Sequence, residues 1–431
     1  MIRLKKVSFS FLGSFILVLA TFYFFYEFFL RVILGTIASE IMEDLNLGAE
    51  QFAFIGSAYY LTYSLMQTPV GILVDRFGVR LLVSVACVFC NIGVLGFILA
   101  DGFTLALISR LLIGFGSSFA FVSILVLALN WFPREQFATI GGLIQFLGGI
   151  GPFLGGAPLA WALLISGNNW RFVLLCVLVF GVALNLFLAL FVRTAPKGQP
   201  TEMIFLSKTE SLGKRLIELM KNRQAWCTVA YAGTIYGTLP LLGAFWGTSY
   251  MKAKGFSRET AAFIISMIWV GLAIGSPALG KFSELIKRRR APLLLAGLLG
   301  IVASSTILYF PIQSKWILSS LFFLIGFASS GQSVSFAIIS EHVPRKLHAT
   351  AIGLNNTSIT FTGFLIPPIA SFMIVAASPP GTKIFTEKAF EYGFTLIPVM
   401  YFIAFVIALI GIKETYCRQQ HEVFPLDKSD F

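Results

Sequence analysis

Charged residues occupy only 12% of the 431 positions, and acids are scarcer than bases, with 20 Asp and Glu against 32 Lys and Arg. Soluble domains carry about 25% charged residues, so that class is excluded. Histidine is rarer still, at three residues. His342 and His348 flank one short polar loop and His421 lies near the C-terminus, which leaves no zinc ligand set and no catalytic dyad. The five cysteines form no disulfide framework. Cys87 and Cys90 have C-x-x-C spacing but sit inside an apolar run without a second ligand pair, so they read as packing residues. There is no Gly-x4-Gly-Lys-Ser/Thr loop to cradle a nucleotide phosphate, which argues against a built-in ATPase. No cofactor is expected. The apolar run after Met1-Ile-Arg-Leu-Lys-Lys6 is too long for a secretory signal and lacks a cleavage site, so it reads as a retained helix.

What remains is apolar. Hydrophobic residues make up 57% of the chain, 45 of them Phe, and the mean hydropathy is +0.85. Runs of about 20 apolar residues recur from end to end, as needed to cross a hydrocarbon core of roughly 30 Å with every backbone polar group satisfied internally. The chain is an all-α polytopic membrane protein. We place twelve helices at approximately 10–36, 51–74, 79–100, 103–131, 137–164, 170–192, 224–250, 259–282, 291–311, 315–340, 348–377 and 391–412. On that plan 23 of the 32 basic residues fall on the N-terminal side, 7 fall opposite, and Arg31 and Arg110 lie within helices. The positive-inside bias puts both termini in the cytoplasm. It also accounts for the net charge of +12 without nucleic acid as a partner.

A duplication is visible. Gly71-Ile-Leu-Val-Asp75-Arg76-Phe-Gly78-Val-Arg80 closes one apolar run, and 209 residues later Gly280-Lys-Phe-Ser-Glu284-Leu-Ile-Lys-Arg288-Arg289 closes another, with acid and base in the same places. Ile113-Gly-Phe-Gly-Ser-Ser118 is matched 212 residues on by Ile325-Gly-Phe-Ala-Ser-Ser330. Pro133-Arg134 with Ala138-Thr139 is matched 211 residues on by Pro344-Arg345 with Ala349-Thr350. Concordant offsets imply six helices plus six: a first bundle over 1–193, a polar linker over 194–223 with a short amphipathic segment, a second bundle over 224–413 and a tail over 414–431.

Glu27 and Arg31 stand four residues apart on one face of the first helix, close enough to pair. Charges at this depth must face protein or an aqueous cavity. Arg110 on the fourth helix falls at a similar depth, so the three can surround one site. Two arginines against one glutamate leave a positive charge that a carboxylate would neutralise through paired charge-assisted hydrogen bonds. The plainer alternative is an ion pair that only fixes helix packing.

With these motifs the chain resembles the major facilitator superfamily over essentially its whole length. Gly71 to Arg80 resembles the superfamily's loop motif between helices two and three, Arg110 to Ser117 its fourth-helix motif, and Gly149-Ile-Gly-Pro152-Phe-Leu-Gly-Gly156 its fifth-helix glycine-proline motif. Tyr26-Glu27-Phe-Phe-Leu-Arg31 with Asn130-Trp-Phe-Pro133 is similar to a bacterial branch of solute importers that includes those of intracellular pathogens, and more distantly to lysosomal dipeptide transporters. The full glycine-proline motif belongs to exporting antiporters; Gln145 replaces one of its glycines here, which leaves the direction of transport open.

The resemblance implies two halves rocking about a central site near the membrane midplane. It implies site residues Tyr26, Glu27, Arg31, Tyr63 and Arg110 from the first half, and Tyr231, Thr234, Tyr236, Trp246, Gln332, Asn355 and Asn356 from the second. It implies a gate of Gly71, Asp75, Arg76, Gly78, Arg80, Arg134 and Glu284, with Asp75 near Ala349 and Thr350 and Glu284 near Ala138 and Thr139. The expected function is secondary active transport, not enzymatic, of a small carboxylate-bearing solute: an amino acid, short peptide or organic acid. Proton coupling through Glu27 is expected, in a monomer in the bacterial cytoplasmic (inner) membrane. Rival readings are a drug or metabolite/proton antiporter and a non-transporting receptor.

Overall fold

The computed structural model describes residues 11–132, 137–196, 212–344, 347–379, 382 and 385–420, and these contain helices and no strand. The first half runs α1 (Phe11–Thr36), the short α2 (Ala38–Asp44), α3 (Ala49–Phe77), α4 (Val79–Ile98), α5 (Phe103–Ser117), α6 (Phe119–Trp131), α7 (Phe137–Leu154), α8 (Ala157–Ile165) and α9 (Trp170–Phe191). The linker carries α10 (Leu212–Met220). The second half runs α11 (Arg223–Tyr236), a π-helical stretch Pro240–Trp246, α12 (Gly247–Ala253), α13 (Arg258–Leu285), α14 (Arg290–Tyr309), α15 (Lys315–Ser329) and α16 (Gly331–Glu341). It ends with α17 (His348–Ala376), α18 (Glu387–Phe394), α19 (Leu396–Val406) and a π turn at Ile407–Gly411. We call the side where α1 begins the near side and the side where it ends the far side.

Nine helical runs among the described residues are long and apolar enough to cross a membrane, and the pair 147–154 and 157–165, bent by 42° below the glycine-proline motif, makes a tenth. Two expected spans fall short of that mark. α3 is 29 residues long but carries Tyr59, Tyr60, Thr62, Tyr63 and Gln67. The run from α11 to α12 is interrupted where Pro240, which has no N–H to give to the preceding turn, opens the ladder into a π-helix. Ten of the twelve expected spans therefore meet the mark among the described residues.

The duplication extends to the backbone. α5 stops at Ser118 and α15 at Ser330, the final serines of the paired Ile-Gly-Phe-x-Ser-Ser segments. In each, the serine hydroxyl donates to a carbonyl three residues back, Phe115 O at 2.6 Å and Phe327 O at 2.5 Å. This competes with the helical ladder and marks a one-residue interruption of the regular helix, although each serine N–H still bonds to the carbonyl four residues back. The glycine of each segment lets two helices touch: a Cβ on Gly114 would lie 2.2 Å from the Tyr59 carbonyl oxygen, and one on Gly326 1.8 Å from that of Ile268.

Each of the paired loops turns on a residue of positive φ. Gly78 has φ +78° and ψ 156°, a region open essentially to glycine alone, and Lys287, 209 residues on, has φ +51°, which a residue with a Cβ takes less readily. The bases of the two loops are offset by one position. Arg80 donates to the Ala189 carbonyl at the end of α9 at 2.7 and 3.0 Å. The residue that reaches the last carbonyls of the final span, Ala408 and Leu409, is Arg290. Arg289, which the sequence repeat aligns with Arg80, pairs instead with Glu341 at 2.6 Å.

The halves meet closely on the far side. Arg258 at the start of α13 pairs with Glu40 on α2 and donates to Asn168 Oδ1 at 2.7 Å, while Lys252 donates to Ser39 Oγ at 3.2 Å. Beneath these contacts the Phe52 and Trp246 rings lie 5.4 Å apart and Tyr60 and Phe245 6.2 Å apart. Arg258→Glu sets two acids against each other at a half-buried contact. It is expected to raise the reactivity of a reporter cysteine at the membrane-embedded end of this seam at least threefold, and adding Glu40→Arg is expected to restore protection. Equal labelling of all three proteins would show that the pair does not hold the seam.

Candidate functional site

Helix α1 is apolar for most of its length, and the pair in its middle is sealed from solvent: Glu27 is 0% and Arg31 3% exposed. Arg31 Nη2 donates to both Glu27 oxygens at 3.1 Å. Tyr59 on α3 donates its hydroxyl to Glu27 Oε2 at 2.7 Å and accepts from Arg31 Nε at 3.3 Å, which closes a three-membered ring of bonds. The Phe28 and Tyr63 rings lie 4.2 and 4.5 Å from the Arg31 guanidinium carbon. These aromatic faces take the positive charge that water would otherwise solvate.

Arg110 on α5 approaches the same ring, with its guanidinium carbon 4.9 Å from the Tyr59 ring centre. Its Nη1 donates to the Leu30 carbonyl of α1 at 2.8 Å. Its Nε and Nη2 are buried without a hydrogen-bond partner, as is the hydroxyl of Tyr60, which lies within electrostatic reach of both arginines. The Nε and Nη2 donors form the fork that fits a carboxylate bidentately. From the second half Tyr236 comes within electrostatic reach of Arg31. The cluster carries two guanidinium charges and one carboxylate, with Glu27 already shared between Arg31 and Tyr59.

Of the sequence-derived candidates, Glu27, Arg31, Tyr63, Arg110 and Tyr236 come together here. The others lie elsewhere. Tyr26 points into the first bundle and donates to Asn91 Oδ1 at 3.0 Å. Tyr231 points into the second bundle, onto the Leu293 carbonyl at 3.2 Å, and Thr234 bonds back to Ala230 O on its own helix. Trp246 donates to Ser371 Oγ at 2.7 Å within the far-side seam. Asn355 Nδ2 donates to Ser335 at 2.8 Å and Gln332 to its neighbour Ser333 at 3.2 Å. Asn356 on α17 donates to Gln67 on α3, a contact between halves rather than part of the charge cluster. Tyr59 and Tyr60, which complete the cluster, are not among the sequence-derived candidates. The i,i+4 spacing of Tyr59 and Tyr63, whose rings stack at 5.8 Å, was the available signal.

At the near side, Gly78 turns the chain, Gly71 is buried, and Arg76 is exposed with its guanidinium carbon 5.3 Å from the Phe77 ring centre. Arg134 and the side chains of Asp75, Ala138, Thr139 and Ala349 lie outside the described residues. Glu284 is exposed. The acids engaged around its loop are Glu341 and Glu414. Glu414 accepts the backbone N–H groups of Arg289 and Arg290 at 2.7 and 3.0 Å, at the start of α14. Burial alone would push the Glu414 carboxyl up, but these N–H groups and those of Thr415 and Tyr416 outweigh it and hold it below the usual carboxylate range.

The described helices thus form two repeated sets that meet beside a buried, charge-bearing cluster. The family model of the Major Facilitator Superfamily matches residues 17–331 and 241–422, and the chain belongs to that superfamily. It is 26% identical over 268 residues to the hexuronate transporter of Bacillus subtilis (strain 168), an alignment that spans 61% of this chain and 62% of that one. It is 22% identical over 389 residues to the probable galactarate/D-glucarate transporter GarP of Escherichia coli (strain K12), spanning 80% and 84%, and 25% identical over 281 residues to a putative tartrate transporter of Agrobacterium vitis, spanning 61% and 60%. Its fold is that of a bacterial homologue of the human lysosomal transporter Spinster in an inward-facing, unoccupied conformation, with TM-score 0.74, 17% identity and coverage of 93% and 97%.

Proposed function

We propose that the chain is a proton-coupled importer of small hydroxylated organic acids of the hexuronate, aldarate and tartrate kind. The observation that carries this reading is the vacant Nε and Nη2 edge of Arg110, buried within the charge cluster. A buried guanidinium without a counter-ion is costly, and a bidentate carboxylate is the group that best compensates it. The names of the three relatives above, given as hexuronate, probable galactarate/D-glucarate and putative tartrate transporters, support an organic acid over the amino acids and peptides that the charges alone leave open. The cluster's surplus positive charge disfavours a cationic drug as cargo.

Glu27 supplies the coupling. While ionised it holds Arg31 and accepts from Tyr59; a proton on Glu27 weakens that hold, and Arg31 becomes available to the substrate carboxylate beside Arg110. Release of the substrate lets Glu27 recapture Arg31 and lose its proton. The basic near side faces the cytoplasm in this scheme, and the joined far side makes the structure a state closed to the outside. In proteoliposomes, an inward proton gradient should drive accumulation of glucuronate, glucarate or tartrate at least tenfold above that of alanine, a dipeptide or a lipophilic cation. Accumulation of the cation or dipeptide alone would overturn the reading.

A further inference from the structure

On the near side, away from the charge cluster, an open groove of about 380 Å³ runs between α11 and the end of the last span. Its walls are the exposed Trp226 and Ala230 on one side and Val406, Ile407 and Ile410 on the other, with Arg223 at its mouth. The floor is built. The last span ends in a π turn, Ile407–Gly411, and Gln224 clamps that turn from both directions, donating to Gly411 O at 3.1 Å and accepting from the Lys413 N–H at 2.8 Å. Trp226 spends its indole N–H on Met220 O at 2.9 Å, so it presents an apolar face to the groove.

The polar end of the groove is positive. Arg223 is the first residue of α11, where Asn222 caps the N–H groups of Gln224 and Ala225, so the positive end of the helix dipole adds to its charge. Lys221, Arg223 and Lys413 are all exposed there. The nearby acid Glu414 is committed to four backbone N–H groups, and Glu218 sits one turn before Asn222. The short helix α10 leads into this corner and leaves Ile217 and Met220 exposed, as a helix lying at a membrane interface does.

We propose that this groove binds an anionic glycerophospholipid, its phosphate held by Arg223 and the adjacent lysines and one acyl chain lying along Trp226, Ala230 and Ile410. The apolar walls alone would be covered by any lipid tail. The basic mouth beside a helix N-terminus selects a net negative headgroup. The site joins the linker and the last span, whatever solute the protein carries.

Native mass spectrometry of the purified chain with phosphatidylglycerol and phosphatidylcholine of identical acyl composition provides the test. The expected result is retention of phosphatidylglycerol at least fivefold above phosphatidylcholine, with the preference lost in Arg223→Ala/Lys413→Ala and kept in Arg223→Lys. Ala230→Trp, which fills the groove, should reduce retention while leaving the three basic residues in place. Equal retention of the two lipids, or an undiminished preference in the double variant, overturns the proposal. Full displacement of the lipid by glycerol 3-phosphate also does, because it would reduce the site to a phosphate contact without the groove. Melting curves of each variant show that it is folded.

Discussion

Arg110→Leu is expected to abolish transport and at the same time raise the melting temperature by a few degrees. Two guanidinium donors of Arg110 are buried with no acceptor, and each such group costs roughly 1–3 kcal/mol. Leucine removes both and fills much of the same volume, at the loss of one bond to the Leu30 carbonyl. On the transport side, losing a bidentate charge-assisted contact of about 3 kcal/mol corresponds to a loss of roughly 100-fold or more. Arg110→Lys keeps the charge without the fork and should retain a small fraction of the flux. Scanning calorimetry and proteoliposome uptake on the same samples decide the matter. A marked fall in stability would mean that Arg110 serves packing, and full activity in the leucine variant would remove it from the site.

Glu27→Gln should separate exchange from accumulation. The amide keeps a group of the same shape between Arg31 and Tyr59 but carries no titrating proton. Counterflow of labelled substrate between equal pools is therefore expected to persist, while accumulation driven by a pH gradient falls at least tenfold, to equilibration. Glu27→Ala is a different experiment: it strands Arg31 in a sealed site and should destabilise the fold by about 3–5 kcal/mol, the cost of breaking one partner out of a buried pair. Gradient-driven accumulation that survives in the glutamine variant would exclude Glu27 as the proton carrier.

Much of this architecture is legible in the residue string, for physical reasons. A span must be long and apolar, so helix positions follow from hydropathy. The repeat is legible because its signature residues do local work: the serines of 113–118 and 325–330 interrupt helices, and the glycines ahead of them admit a neighbouring backbone. The pairing of Glu27 with Arg31 follows from their spacing of four. What the string does not reveal is which face of each helix meets the other half. Tyr26 neighbours Glu27 in sequence yet points a quarter-turn away, into the bundle. Along the seventh expected span, Tyr231 and Tyr236 stand five residues apart, about 140° around an α-helix, so they face different neighbours, and the π-helical stretch at 240–246 shifts the phase again before Trp246. The role of Tyr59 depends on how α3 is rotated against α1, which packing sets and periodicity does not.

The left-handed turn at Lys287 carries a further consequence. Its counterpart Gly78, at φ +78° and ψ 156°, stands in a region open essentially to glycine alone, whereas Lys287 ends α13 with the Arg288 N–H bonded to Ser283 O at 3.2 Å, a left-handed cap that a residue with a Cβ holds at a cost on the order of 1–2 kcal/mol. The two near-side loops are thus copies in place but not in path: one turns on a glycine, and the other is held by the bonds of Arg289 and Arg290 to Glu341, Glu414 and the end of the last span. A molecule built by copying one unit therefore closes its two near-side corners by different means, one through a backbone angle that only glycine takes and the other through a network of side chains.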